Sequence, residues 1–288
     1  MRADHQNDRH PIRTKWKFMK PLITWRLLAC LLFLGLTQTS LAQNAAPPDP
    51  TQDKQMLSAG FLTAHPDLRY RLHGMEEFKQ GRYEDALKFF QRAAFYADKP
   101  SQGMIAEMLW NGHGTQKDAA LAYAWMDLAA ERGYAGFLGL RERYWNALSE
   151  ADRRRALDEG AILYAKYGDA AAQPRIATVL RRERRNITGS RTGFTGNVQI
   201  YVPGPNGFEQ IDGSKFFDER YWDPKKYQDW HDTVWMKPRI GRVNVGEVKQ
   251  LPATQPASRI PSTGPDIDAA EPETPERNER ELGTKKDG

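Results

Sequence analysis

The densest set of groups capable of acid, base or recognition chemistry lies between residues 216 and 235. There Asp218, Glu219, Asp223, Asp229, His231 and Asp232 stand among Phe216, Phe217, Tyr221, Trp222, Tyr227, Trp230 and Trp235. Carboxylates beside an imidazole can act as general acid and base, provided that folding brings them within hydrogen-bond reach in a pocket. Rings with polar tips can instead hold a protein surface or a glycan. Tyr221, Trp222, Trp230, His231 and Trp235 are therefore the candidate partner-binding residues. No G-x-S-x-G or H-E-x-x-H run accompanies the charged groups, so they read as surface charges and no catalytic residue is assigned. Packing is the commoner fate of clustered rings, which makes a cap over the preceding elements the first expectation and a recognition surface the second.

A second stretch, "NGHGTQKDAALAYAWMDLAAERG" at 111–133, poses a choice between a phosphate-cradling loop and a structural corner. A phosphate loop follows a strand and reads G-x-x-x-x-G-K-[ST]; here 104–110 is helical in pattern and that spacing is absent. The corner reading follows, with Gly112, Gly114 and Gly133 supplying positive φ at helix ends.

Metal and thiol chemistry find little support. Cys30 is the single cysteine, and His5 and His10 are the only closely spaced histidines, so neither a disulfide framework nor a zinc site is expected. No cofactor is implied.

Both of those features fall in a leader. Residues 27–36 are uninterrupted apolar residues behind Lys15, Lys17, Lys20 and Arg26, and Ser40-Leu41-Ala42 follows. That is the plan of a secretory signal peptide over 1–42 cleaved near Ala42, with Met19 an alternative start. The run is too short for a spanning helix, so no membrane anchor is expected after cleavage. Export to the periplasm or beyond follows.

The leader also distorts the charge. The sequence pI is about 9.2. Yet residues 1–42 hold seven of the 42 Lys and Arg and two of the 37 Asp and Glu, which leaves 35 of each in the mature chain. A nucleic-acid partner loses its electrostatic basis. The runs at Arg153-Arg154-Arg155 and 181–185 read as solvated helix faces, and Asn186-Ile187-Thr188 matches a short glycosylation pattern.

The mature chain divides by composition into a flexible lead-in at 43–56, helices at 57–188, a β-hairpin and aromatic module at 189–251, and a Pro-, Thr- and Ser-rich tail at 252–288. The tail has too few aliphatic residues to pay for ordering and is expected to be disordered, so deleting 253–288 should leave melting unchanged. In the module, "VQIYVPGPNGFEQI" places two strand-like runs about an Asn-Gly turn, and 242–248 reads as another β-type run.

Within the helices the sequence repeats. "ALKFFQRAA" from Ala86 superposes on "AYAWMDLAA" from Ala122, an offset of 36 residues, and a weaker copy follows through Leu157, Ala165 and Gly168. Ala86, Ala93, Ala122, Ala129 and Ala130 let helices approach, while Phe90 and Trp125 fill the space between pairs. A period of this length marks stacked helix pairs.

The motifs "GHGTQKD", "AYAW" and "LAAERG" over 106–133 resemble a Sel1-like repeat, a relative of the tetratricopeptide repeat; the unit at 78–94 is closer to a plain tetratricopeptide repeat. The resemblance covers about 67–185 and implies a short α-solenoid; with the small aromatic-rich α/β module, which it does not cover, expected as a cap, the chain is read as mainly α. The resemblance further implies a non-enzymatic scaffold or adaptor for protein partners in the cell envelope. Cell-wall glycan binding through the aromatic module is the alternative, and a hydrolase built on that module is the remoter one.

Overall fold

The computed structural model describes residues 49–192, 199–204, 207–236 and 257–275. The expected leader, the β-type run at 242–248 and the last part of the tail lie outside the described residues. The described part is mainly helical, with one two-stranded antiparallel hairpin.

The helices are α1 (Lys54–Ser58), α2 (Pro66–Lys79), α3 (Tyr83–Phe95), α4 (Lys99–Asn111), α5 (Ala119–Ala129), α6 (Ala135–Ala147), α7 (Glu150–Tyr167) and α8 (Asp169–Thr188). Polar residues placed just before the apolar runs start several of them. The Asp98 carboxylate accepts the Ser101 amide at 3.0 Å, Asp118 accepts Leu121 at 2.9 Å, and the Ser149 hydroxyl accepts Asp152 at 3.1 Å. Each such cap contributes about 1 kcal/mol.

The repeat positions behave as their sizes require. Ala86, Phe90, Ala93, Ala122, Trp125, Ala129 and Ala130 are all buried, on α3, on α5 and in the turn behind it. Helix α2 packs along α3 and α4 along α5, and α5 also packs against α6 and α7. Gly112 ends α4 at φ 76°, and Gly133 closes the turn after α5 at φ 75°. Ala97 occupies the equivalent corner 36 residues before Gly133, at φ 69°. A Cβ at Gly114 would lie 2.5 Å from the Tyr83 carbonyl carbon, so this corner is pressed onto the start of α3.

The hairpin pairs β1 (Gln199–Gly204) with β2 (Gly207–Asp212), Tyr201 opposite Gln210 and Pro203 opposite Phe208. Val202 and Ile211 turn inward, whereas Tyr201 and Phe208 are 60% and 80% exposed. Three helices follow: α9 (Gly213–Phe216), α10 (Glu219–Trp222) and α11 (Pro224–Met236).

Two large apolar cores result, beside a small cluster of Tyr70, Phe89 and Ala93. One joins α3 to α7 around Phe90, Tyr123, Trp125 and Met126. The other gathers Met56, Phe61 and Leu68, then Ala172, Ile176 and Leu180 of α8, around Phe216, Tyr221, Trp222 and Trp230.

Two composition-based expectations need correction. Residues 49–56 of the lead-in are structured, because Asp53 caps α1 and Met56 is buried in the second core. Residues 257–275 are also placed against the helices, anchored by one buried aliphatic residue, Ile260. Average composition hid that anchor.

Candidate functional site

The segment 257–275 follows a continuous track across the helical body. At its start Ser258 donates its hydroxyl to Asp127 Oδ2, and the Asp127 carboxylate is fully buried at the end of α5. Tyr164 donates to the same oxygen at 2.8 Å, Tyr123 donates to Oδ1 at 3.3 Å, and the Arg141 guanidinium stands 3.6 Å away. Burial and the Asp127 charge both push the Tyr164 and Tyr123 hydroxyls well above their ordinary range, so each remains a donor.

Arg259 comes next and forks onto Glu142, with bonds of 2.8 and 2.6 Å. Its guanidinium carbon lies 4.9 Å from the centre of the Trp145 ring, and Arg153 approaches the same ring at 5.1 Å. The Arg259 hydrogen bonds hold the Glu142 carboxyl below the usual range despite partial burial. A two-pronged pair of this kind fixes direction as well as charge.

Ile260 is 6% exposed and sits on Gly160, in the interior of α7. The remainder is held largely through backbone groups. Thr263 Oγ1 donates to the Ala161 carbonyl at 2.9 Å, the Asp266 amide donates to the Ala165 carbonyl at 2.7 Å, and Arg175 donates to the Asp266 carbonyl. Glu271 reaches Arg92 of α3 at 2.8 Å. Burying Ile260 is worth about 1.5–3 kcal/mol.

The candidate partner-binding residues are mostly inside. Tyr221, Trp222, Trp230 and His231 are buried, Trp222 to 1% exposure, and Trp235 is half-buried and stacked on Phe137 with ring centres 6.1 Å apart. They do not form the exposed recognition surface considered from sequence. Trp222 Nε1 donates to the Phe216 carbonyl at 2.6 Å, and Tyr221 meets Phe61 edge to face at 5.6 Å.

The charged groups of that stretch scatter. Asp218 and Asp223 cap α10 and α11 through the Arg220, Lys225 and Lys226 amides. Glu219 pairs with Lys226. Asp232 accepts the Tyr134 hydroxyl at 2.5 Å. Asp232 also stands 3.8 Å from Arg132, and His231 enters a second polar cluster: its Nε2 is 3.4 Å from Asp67 Oδ2, which also accepts the Tyr227 hydroxyl at 2.7 Å. Burial pushes the Asp67 carboxyl up, but His231, His65 and Tyr227 outweigh it and hold the group below its ordinary value. The adjoining cavity, of about 30 Å³, also touches Arg132 and Gln173 and has room for one or two waters.

Beside this cluster a buried ionic network ties the two cores together. Lys99 Nζ lies 2.5 Å from Glu131 and 3.1 Å from Asp169, and Arg132 forks onto Asp169 at 2.7 and 2.9 Å. Burial raises the Asp169 carboxyl, yet the two cations prevail and its pKa is strongly lowered. Further along α8, Arg181, Arg184 and Arg185 join Arg191 around an open hollow of about 230 Å³ beside Asp223.

No family model matches the chain, and no curated protein or solved structure matches it either. Among the described residues, no helix is long and apolar enough to cross a membrane, and no group of three or more His, Cys, Asp or Glu is placed to hold a metal ion.

Sequence reasoning missed the track altogether. The one available signal was local: Ser258-Arg259-Ile260 is a hydroxyl, a cation and a β-branched residue in a row, inside a tail otherwise poor in aliphatic residues.

Proposed function

We propose that the protein is an exported, non-enzymatic scaffold of the cell envelope, a short α-solenoid of Sel1-like helix pairs that holds extended segments of partner proteins. The observation that carries this reading is the track over α5, α6 and α7, where an irregular segment is gripped by side-chain anchors and by backbone hydrogen bonds. Backbone bonds grip any extended chain, and the anchors select among them. Periplasmic or secreted placement rests on the leader. The aromatic module serves as the cap of the array, which needs a covered end.

A catalytic reading has less support. The His231 and Asp67 cluster adjoins a space of about 30 Å³, and the other acids of the module serve as caps and ion pairs.

One observation favours a second reading, binding of cell-wall glycan. Tyr201 and Phe208 place two exposed rings on one face of the hairpin. Flat exposed rings suit sugar faces.

Affinity capture from envelope extract with the mature chain, beside sedimentation with purified sacculi, separates the two. Capture of proteins by wild type, weakened by Glu142→Lys and unaffected by Tyr201→Ala/Phe208→Ala, supports the scaffold. Sedimentation with sacculi that the double alanine variant abolishes supports the glycan reading instead.

A further inference from the structure

Three features of the helical body meet 258–260, and each is specific in kind. Asp127 offers a buried carboxylate oxygen to a hydroxyl, Glu142 beside Trp145 offers a fork and a ring face to a guanidinium, and Gly160 offers a socket to an aliphatic side chain.

The socket is the most telling. A glycine inside a helix is unfavourable relative to alanine; Gly136 and Gly139 in α6 have open space where a Cβ would stand, whereas three others are closed over by a neighbour. In α2 and α4 the cover is a ring from a neighbouring helix: Cβ atoms at Gly74 and Gly103 would stand 2.6 Å from Phe90 and 2.7 Å from Phe137. At Gly160 the knob is Ile260, which comes from a segment joined to the body through residues 237–256. A knob supplied from elsewhere in the same chain can be replaced by the same knob from another chain, because the covalent connection raises its local concentration.

We infer that the track recognises a hydroxyl–Arg–β-branched aliphatic–Pro sequence in an irregular, non-helical segment of a partner protein, and that residues 257–275 are its resident competitor. This rests on the scaffold reading above. Pro261 follows Ile260 and keeps it out of a helix, and the chain bends at Arg259 and Ile260 before running on without regular structure to Asp266. Beyond it the bonds run mainly to backbone carbonyls, so selection is concentrated at three positions.

The test uses the full mature chain, isotope-labelled, and a synthetic peptide covering 257–271. Amide hydrogen exchange is followed at Asp266, whose amide is bonded to Ala165 in the closed state. Excess peptide is expected to speed exchange there about tenfold by displacing the cis segment, while a peptide carrying Arg259→Glu and Ile260→Asp leaves it unchanged. In fluorescence anisotropy, the full chain carrying Arg259→Glu and Ile260→Asp, checked for folding by circular dichroism, should bind the labelled peptide about tenfold more tightly than wild type. Charge-swapped Glu142→Arg should prefer the peptide carrying Arg259→Glu.

Equal binding of native and doubly substituted peptides, or no binding by the folded released variant, overturns the inference. Either result leaves the scaffold reading standing if envelope proteins are still captured. Loss of that capture in favour of sacculi removes the scaffold reading itself.

Discussion

Ile260 lies so close over Gly160 that a Cβ on the glycine would stand 2.5 Å from its Cδ1. The contact ties the C-terminal segment to the interior of α7. Gly160→Ala is therefore expected to loosen the segment even though alanine favours the helix by about 1 kcal/mol. Tryptic cleavage after Arg259 should speed up severalfold while the helical body stays intact. Unchanged cleavage would place Ile260 away from Gly160.

Deletion of 253–288 should lower stability. Composition alone predicts no effect; loss of the buried Ile260 predicts about 1.5–3 kcal/mol. At about 2–4 °C per kcal/mol for a body of this size, the melting temperature should fall by several degrees. Coincident melts of the truncated and full mature chains would contradict the packed segment.

Trp125 is 3% exposed and meets the Tyr167 ring with centres 4.8 Å apart. Trp125→Ala is expected to cost about 3–5 kcal/mol as a truncation in the middle of the repeat core. A near-neutral result in chemical denaturation would refute the repeat register.

Asp169 gives a pH prediction. Its folded pKa is strongly lowered: burial works against ionisation, but Lys99 and Arg132 more than offset it. A depressed carboxyl contributes stability that is present above its ordinary value of 3.8 and is lost as pH falls toward the folded value. Asp169→Asn should cost about 1.5–3 kcal/mol near neutrality, because Arg132 loses its forked partner while Lys99 keeps Glu131. Its penalty should shrink in acid, where wild type loses the same contribution. A penalty independent of pH between 7 and 2.5 would show that the network is not ionic.

The parts legible in sequence were those decided locally. Alanines at 86, 93, 122, 129 and 130, around Phe90 and Trp125, follow helical spacing, and that spacing sets which face is buried. Asp98 and Asp118 announce helix starts for the same reason. The fate of the aromatics was decided by distant chain. His65 reaches the Tyr221 carbonyl at 2.8 Å across 156 residues, and α8 supplies the remaining wall. The track was illegible because its specificity rests on a single run, 258–260, in a segment whose mean composition predicts disorder. Its receiving groups, Asp127, Glu142 and Gly160, lie on three helices.

The most direct test of the scaffold is photo-crosslinking in the intact envelope, with a photoreactive phenylalanine in place of Trp145 on the track and, as control, in place of the exposed Phe208 on the hairpin. Adducts with a second protein at the Trp145 position, competed away by the 257–271 peptide, are the predicted result. Adducts confined to the chain's own 257–275 segment, or formed with partners only at the Phe208 position, would contradict it.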